Sequence, residues 1–158
     1  MRSTAMDAPE MAAAASVSQS ENRAQGGPGP EFGPWLEKAS ILIVDDEPGM
    51  RNFLVRILGP RAKRVEEAAD CEEATKLLDQ HHFDVVILDN IMPGKSGVEW
   101  LTEQREVGFF SDAILMTAFA DLDTAIKALR AGAVDFVLKP FRSNQILNAV
   151  ARCLDRMR

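Results

Sequence analysis

The stretch Ile41-Leu42-Ile43-Val44-Asp45-Asp46-Glu47 decides how the rest of the chain is read. Four consecutive apolar residues suit a strand buried on both faces, which shows no polar alternation. The run then ends in three acids, so charge sits where such a strand would leave its sheet. Working outward, the pattern recurs. Val85-Val86-Ile87-Leu88 ends in Asp89, Ala113-Ile114-Leu115-Met116 ends in Thr117, and Val134-Asp135-Phe136-Val137-Leu138 ends in Lys139. The segment Lys63-Arg64-Val65-Glu66-Glu67-Ala68 reads as a weaker strand near an edge, and Asp135 gives the last strand a more exposed position.

Between these runs the period changes to that of a helix. Met50, Phe53, Leu54, Ile57 and Leu58 share one face, as do Leu122, Ala125, Ile126 and Leu129. Ile146, Val150, Cys153 and Met157 mark a final helix with Ser143 as its expected N-cap. Regular alternation of strand and helix predicts an α/β fold: a doubly wound parallel sheet between helices, in three layers with right-handed crossovers. Ligands of such folds bind at the carboxyl ends of the strands.

The sequence has 158 residues and a formal net charge of −6. That length suits one domain and a tail and excludes a multidomain enzyme. Residues 1–38 hold four of the eight prolines and four of the ten glycines, with few large apolar side chains. They are expected to form a disordered Pro/Gly/Ala-rich extension, with Phe32 and Trp35 able to dock locally, and residues 39–158 to form the domain. A net acidic chain is poorly suited to grasping a nucleic-acid backbone. The short Arg152, Arg156 and Arg158 cluster fits a solvated helix end better than a nucleic-acid patch. No run of about 18 apolar residues is present, so no membrane span is expected. Two cysteines without ligand spacing, and no export signal, point to a cytoplasmic protein.

The carboxyl ends of the expected strands bring together Asp45, Asp46, Asp89, Thr117 and Lys139. Gathering carboxylates is costly: two like charges 4 Å apart repel by about 4 kcal/mol at an effective dielectric near 20. A divalent cation relieves that repulsion, and an all-oxygen donor set favours Mg²⁺. Zinc would call for His or Cys, and the two histidines, His81 and His82, precede the third strand at the opposite edge.

Four segments together carry a resemblance: Ile41–Glu47, Leu88-Asp89-Asn90-Ile91-Met92-Pro93-Gly94, Met116-Thr117-Ala118 and Leu138-Lys139-Pro140-Phe141. In order and spacing they resemble the signature segments of response-regulator receiver domains of two-component systems, across residues 40 to 157. The stretch from Thr117 to Phe141 is most similar to receivers of transcription activators of the nitrogen-regulatory type. The resemblance implies a flavodoxin-like (βα)5 fold and a phosphoacceptor role for Asp89, which would take a phosphoryl group from a phosphohistidine. It further implies Mg²⁺ held by Asp45, Asp46, Asp89 and the Ile91 backbone carbonyl, with Lys139 and Thr117 neutralising phosphoryl oxygens. The Lys139–Pro140 bond would be cis. Thr117 and Phe136 would form the switch, biasing the surface of the fourth helix, fifth strand and fifth helix. The implied partners are a sensor histidine kinase or phosphotransfer protein and a downstream output domain or protein, with a homodimer through the same surface.

Ile91 and Phe119 flank the expected site and should hinder an attacking water, giving slow self-dephosphorylation. No turnover enzyme is expected. An aspartate-nucleophile phosphohydrolase would need an Asp-x-Asp motif after the first strand and a substrate cap. A nucleotide or flavin module would need a Gly-rich loop there, whereas this loop is acidic. A receiver-like interaction module working without phosphorylation is the remaining alternative. The expected protein is either a stand-alone relay or a fragment of a longer regulator.

Overall fold

The computed structural model describes residues 34–109, 111–118 and 122–156. Five strands alternate with five helices: β1 (Ser40–Val44), α1 (Pro48–Leu58), β2 (Arg64–Ala68), α2 (Cys71–Gln80), β3 (Val85–Asp89), α3 (Gly97–Glu106), β4 (Asp112–Thr117), α4 (Leu122–Arg130), β5 (Asp135–Leu138) and α5 (Ser143–Arg156). All pairings are parallel and the strand order is β2-β1-β3-β4-β5. The sheet therefore reverses its direction of growth between β1 and β3. That switch point opens a crevice at the carboxyl ends of these two strands.

The continuous apolar runs are explained by burial on both faces. Every residue of β3 is buried, as are Ile41 through Val44 of β1. Leu42, Val44, Val86, Leu88, Ala113 and Leu115 point to one side, into a core shared with Ala74 and Leu78 of α2, Trp100 and Leu101 of α3, and Ala128 of α4. Alternation sends Ile41, Ile43, Val85, Ile87, Ile114 and Met116 to the other side. There Leu54 and Leu58 of α1 and Ile146, Val150 and Cys153 of α5 are buried. The weaker strand, β2, and the shortest, β5, form the two edges.

Three details differ from expectation. First, the fold begins before residue 39: a 3-10 helix, Leu36–Lys38, packs against α5 and buries Leu36 to 1% exposure. A large apolar side chain with a docking surface stays with the domain, while residues 1–33 lie outside the described residues. Trp35 remains partly exposed beneath the Lys38 ammonium, 5.6 Å from its ring centre. Second, Ser143 is the first helical residue of α5, one place later in the helix than expected. The Gln145 side chain instead accepts from the Arg142 N–H at 2.6 Å, the back-bond of a capping box. Third, among the described side chains of α4 Ala128 is buried, whereas Leu129 is exposed. Ala128 permits close approach to the sheet edge, and only four residues of β5 are available to cover α4.

Candidate functional site

Register places the site. Val44 pairs with Leu88, so Asp45 and Asp89 follow side by side on adjacent strands. Asp89 is the last residue of β3 and Thr117 the last of β4, while Lys139 directly follows β5. Lys139 N–H donates to the Thr117 carbonyl at 2.8 Å, which extends the ladder by one step into the site. The Lys139–Pro140 peptide is cis. Asp45, Asp89 and Thr117 are the only buried polar or charged residues among those described, at 0%, 4% and 2% exposure.

One ammonium serves several carboxylates. Lys139 Nζ lies 3.2 Å from Asp45 Oδ2, 3.1 Å from Asp89 Oδ1 and 3.9 Å from Glu47 Oε1. Burial raises the Asp89 pKa, and Asp45 and Asp46 add to that effect, against the lowering influence of Lys139. Burial alone would lower the Lys139 pKa, but Asp89 and Asp45 reverse this and raise it. The ammonium is therefore held charged.

Oxygens of Asp45, Asp46 and Asp89 all lie within 4.8 Å of one another. A single lysine cannot neutralise three such carboxylates together with nearby Glu47. The excess negative charge, in a pocket with only oxygen donors, fits a hard divalent cation such as Mg²⁺.

The loops around the site are shaped by specific bonds. Asp45 Oδ1 accepts from the Glu47 N–H at 2.9 Å, turning the chain into α1. After β3, Asn90 Oδ1 accepts from the Val98 N–H at 3.1 Å, and the Asn90 carbonyl accepts from the Gly97 N–H at 2.9 Å. Ser96 and Glu99 form a reciprocal capping box that starts α3 next to Asp89. Ile91 is 54% exposed at the rim, and Phe136 is 36% exposed on β5. Phe119 lies outside the described residues.

Thus Asp45, Asp46, Asp89, Thr117 and Lys139 are brought to one edge of the sheet, as their positions in the chain predict, while Phe136 sits on the outer edge strand. Sequence reasoning assigned no part to Glu47, within reach of Lys139, or to Gly97, whose Cα faces the Asp89 carbonyl so closely that a Cβ would collide with it. The acid run after β1 signalled the former. Nothing local marks the latter, since its neighbour is eight residues away. His81 and His82 bond to Arg64 and Asp84, away from the site.

The family model for the response regulator receiver domain matches residues 41–151. The chain is 37% identical over 116 residues to the transcriptional regulatory protein MalR of Bacillus subtilis, covering 71% of this chain and 48% of that one. It is 39% identical over 114 residues to the regulatory protein AtoC of Escherichia coli, covering 72% and 25%. Among solved structures, the chemotaxis protein CheY4 of Vibrio cholerae superposes with a TM-score of 0.69 at 27% identity, covering 73% of this chain and 98% of that one. The chain belongs to the response-regulator receiver family, the signalling switches of two-component systems, and its fold is the flavodoxin-like (βα)5 sandwich. It spans about half or less of the two curated relatives. No helix among the described residues is long and apolar enough to cross a membrane.

Proposed function

We propose that this receiver accepts a phosphoryl group on the Asp89 carboxylate from a phosphohistidine of a sensor kinase or phosphotransfer protein. The observation that carries the proposal is the buried Asp89 carboxylate with the Lys139 ammonium 3.1 Å away, beside two further carboxylates. Asp45, Asp46 and Asp89 would hold Mg²⁺, with the Ile91 backbone carbonyl as a further donor. When bound, Mg²⁺ supplies charge neutralisation for phosphoryl oxygens.

The chain's own groups do the rest. An Asp89 oxygen is the nucleophile: it forms the new O–P bond as the donor N–P bond breaks, and the imidazole keeps the electron pair. Lys139, held charged by its carboxylate neighbours, is positioned to stabilise negative charge on a phosphoryl oxygen. The Thr117 hydroxyl would bond a second oxygen. The added charge would draw Thr117 toward Asp89 and give Phe136 room to turn inward, changing the surface of α4, β5 and α5. With no hydroxyl on Phe136, its contribution is packing alone. An output domain or protein, or a second copy of the chain, would read that surface. The only chemistry beyond transfer would be self-phosphorylation and self-dephosphorylation. With Ile91 two residues after Asp89 and Phe119 two residues after Thr117 in the sequence, self-dephosphorylation would be slow, and a half-life of seconds for the purified phosphoprotein would contradict this.

Incubation with acetyl phosphate and Mg²⁺, followed by intact mass, tests the proposal on the parent and on Asp89→Asn. A phosphate-sized gain is expected in the parent alone. A gain in both proteins, or in neither, would remove the assignment of Asp89.

A further inference from the structure

Arg51 touches none of the carboxylates at the centre of the site, yet it holds the chain that presents two of them. Its Nη1 donates to the Asp45 carbonyl at 2.7 Å, and its Nε donates to Glu67 Oε1 on β2 at 3.1 Å. The Asp45 N–H donates in turn to the Ala68 carbonyl at 3.1 Å. Both backbone groups of Asp45 are therefore tied to the end of β2, the N–H directly and the carbonyl through Arg51 and Glu67. That carbonyl belongs to the peptide joining Asp45 to Asp46, so fixing its plane restricts the backbone angle on each side. The Asp46 carboxylate has no hydrogen-bond or ion-pair partner among the described residues. Its aim depends on that backbone. The Arg51 side chain is itself mostly buried, at 18% exposure. Its planar guanidinium bonds in two directions at once, which a lysine ammonium on a flexible stem does not reproduce.

We propose that Arg51 is a positioning residue for the divalent cation: by clamping the Asp45–Asp46 peptide to β2, it presets Asp46 for metal binding. This rests on the reading of Asp45, Asp46 and Asp89 as the Mg²⁺ site. Simple electrostatics makes the opposite prediction, because a guanidinium beside a cation site opposes binding and its removal should tighten Mg²⁺. The two accounts differ in sign. Groups that orient metal ligands typically contribute about 10- to 100-fold in affinity.

The test titrates MgCl₂ alone, by calorimetry, into the 158-residue parent, Arg51→Gln, Arg51→Lys, Glu67→Gln and Asp46→Asn. Amide hydrogen exchange at residues 46 and 47 is followed in the metal-free proteins. Arg51→Gln is expected to bind Mg²⁺ about tenfold more weakly, with Arg51→Lys failing to restore it and Glu67→Gln showing a smaller loss. Exchange at residues 46 and 47 should quicken in all three while the central strands stay protected. Unchanged or tighter Mg²⁺ binding in folded Arg51→Gln overturns the clamp. Should Arg51→Gln not fold, Glu67→Gln decides alone, since Glu67 is half exposed and its loss leaves the core intact. A parent that binds no Mg²⁺ brings down the site and the clamp together. A parent that binds, with loss in Asp46→Asn and none in Arg51→Gln, brings down the clamp only.

Discussion

Asp89 combines deep burial with a partner cation, and burial wins: its pKa lies above the ordinary carboxylate value despite Lys139. The folded state therefore binds the Asp89 proton more tightly than the unfolded chain does. Its contribution to stability is complete below the unfolded pKa of about 3.9 and is lost as pH rises through the folded value. Asp89→Asn removes that loss. In metal-free buffer at about pH 7 the variant should melt above the parent, with the gap closing as pH falls. Calorimetric melts across this range check it, and a parent at least as stable as the variant at neutral pH would contradict it. Saturating Mg²⁺ should raise the parent's melting point far more than the variant's, since only binding to the folded state stabilises. Lys139→Met should act in the other direction. It leaves Asp45 and Asp89 buried without their ammonium, at a cost of about 3 kcal/mol, read by urea denaturation. Added MgCl₂ should recover part of that loss.

At the scale of elements, the start of α3 is the tightest junction in the site. A Cβ on Gly97 would collide with the Asp89 carbonyl and lie 3.1 Å from both Asn90 Cα and Leu88 Cγ. Two of these neighbours are backbone, which cannot step aside without moving Asp89. Gly97→Ala should cost about 1–3 kcal/mol and also slow phosphorylation by acetyl phosphate, because the end of β3 must shift. Thermal melts and initial rates measured together check this; a lowered melting point with unchanged rate would place the damage away from Asp89. The elements themselves were legible because burial on both faces leaves an unbroken apolar run, as in Ile41–Val44 and Val85–Leu88. The charged residues following those runs were legible for the same reason, because the fold sends every strand's carboxyl end to one edge. What escaped were contacts that join distant backbone to a side chain or to a missing one. Gly97 against Asp89 and Arg51 against the Asp45 carbonyl leave no periodic trace. Leu129 has helical spacing that suits burial, yet the neighbouring Ala128 is buried and Leu129 is 61% exposed.

For the whole molecule, the exposed apolar side chains Leu129, Phe136 and Leu138 belong to α4 and the edge strand β5, 61%, 36% and 42% exposed respectively. Beside them Arg152 of α5 pairs with Asp135 Oδ2 at 2.6 Å, so this face has a charged border that limits how a partner can lie on it. Leucine and phenylalanine in water cost about 25 cal/mol for each Å² left uncovered, and an edge strand offers unpaired backbone besides. The proposed inward turn of Phe136 on phosphorylation would change the shape of this face without altering its border. Under that proposal, self-association would depend on the state of Asp89. The expected outcome is a monomer in the unmodified protein and a dimer after treatment with beryllofluoride and Mg²⁺, a stable stand-in for the phosphoryl group, measured by sedimentation velocity. Leu129→Glu should abolish the dimer while leaving acetyl phosphate labelling of Asp89 unchanged, because Leu129 lies on α4, away from Asp45, Asp89 and Lys139. A dimer that persists in Leu129→Glu would assign the contact to another face, and a dimer equally strong without beryllofluoride would detach association from the switch.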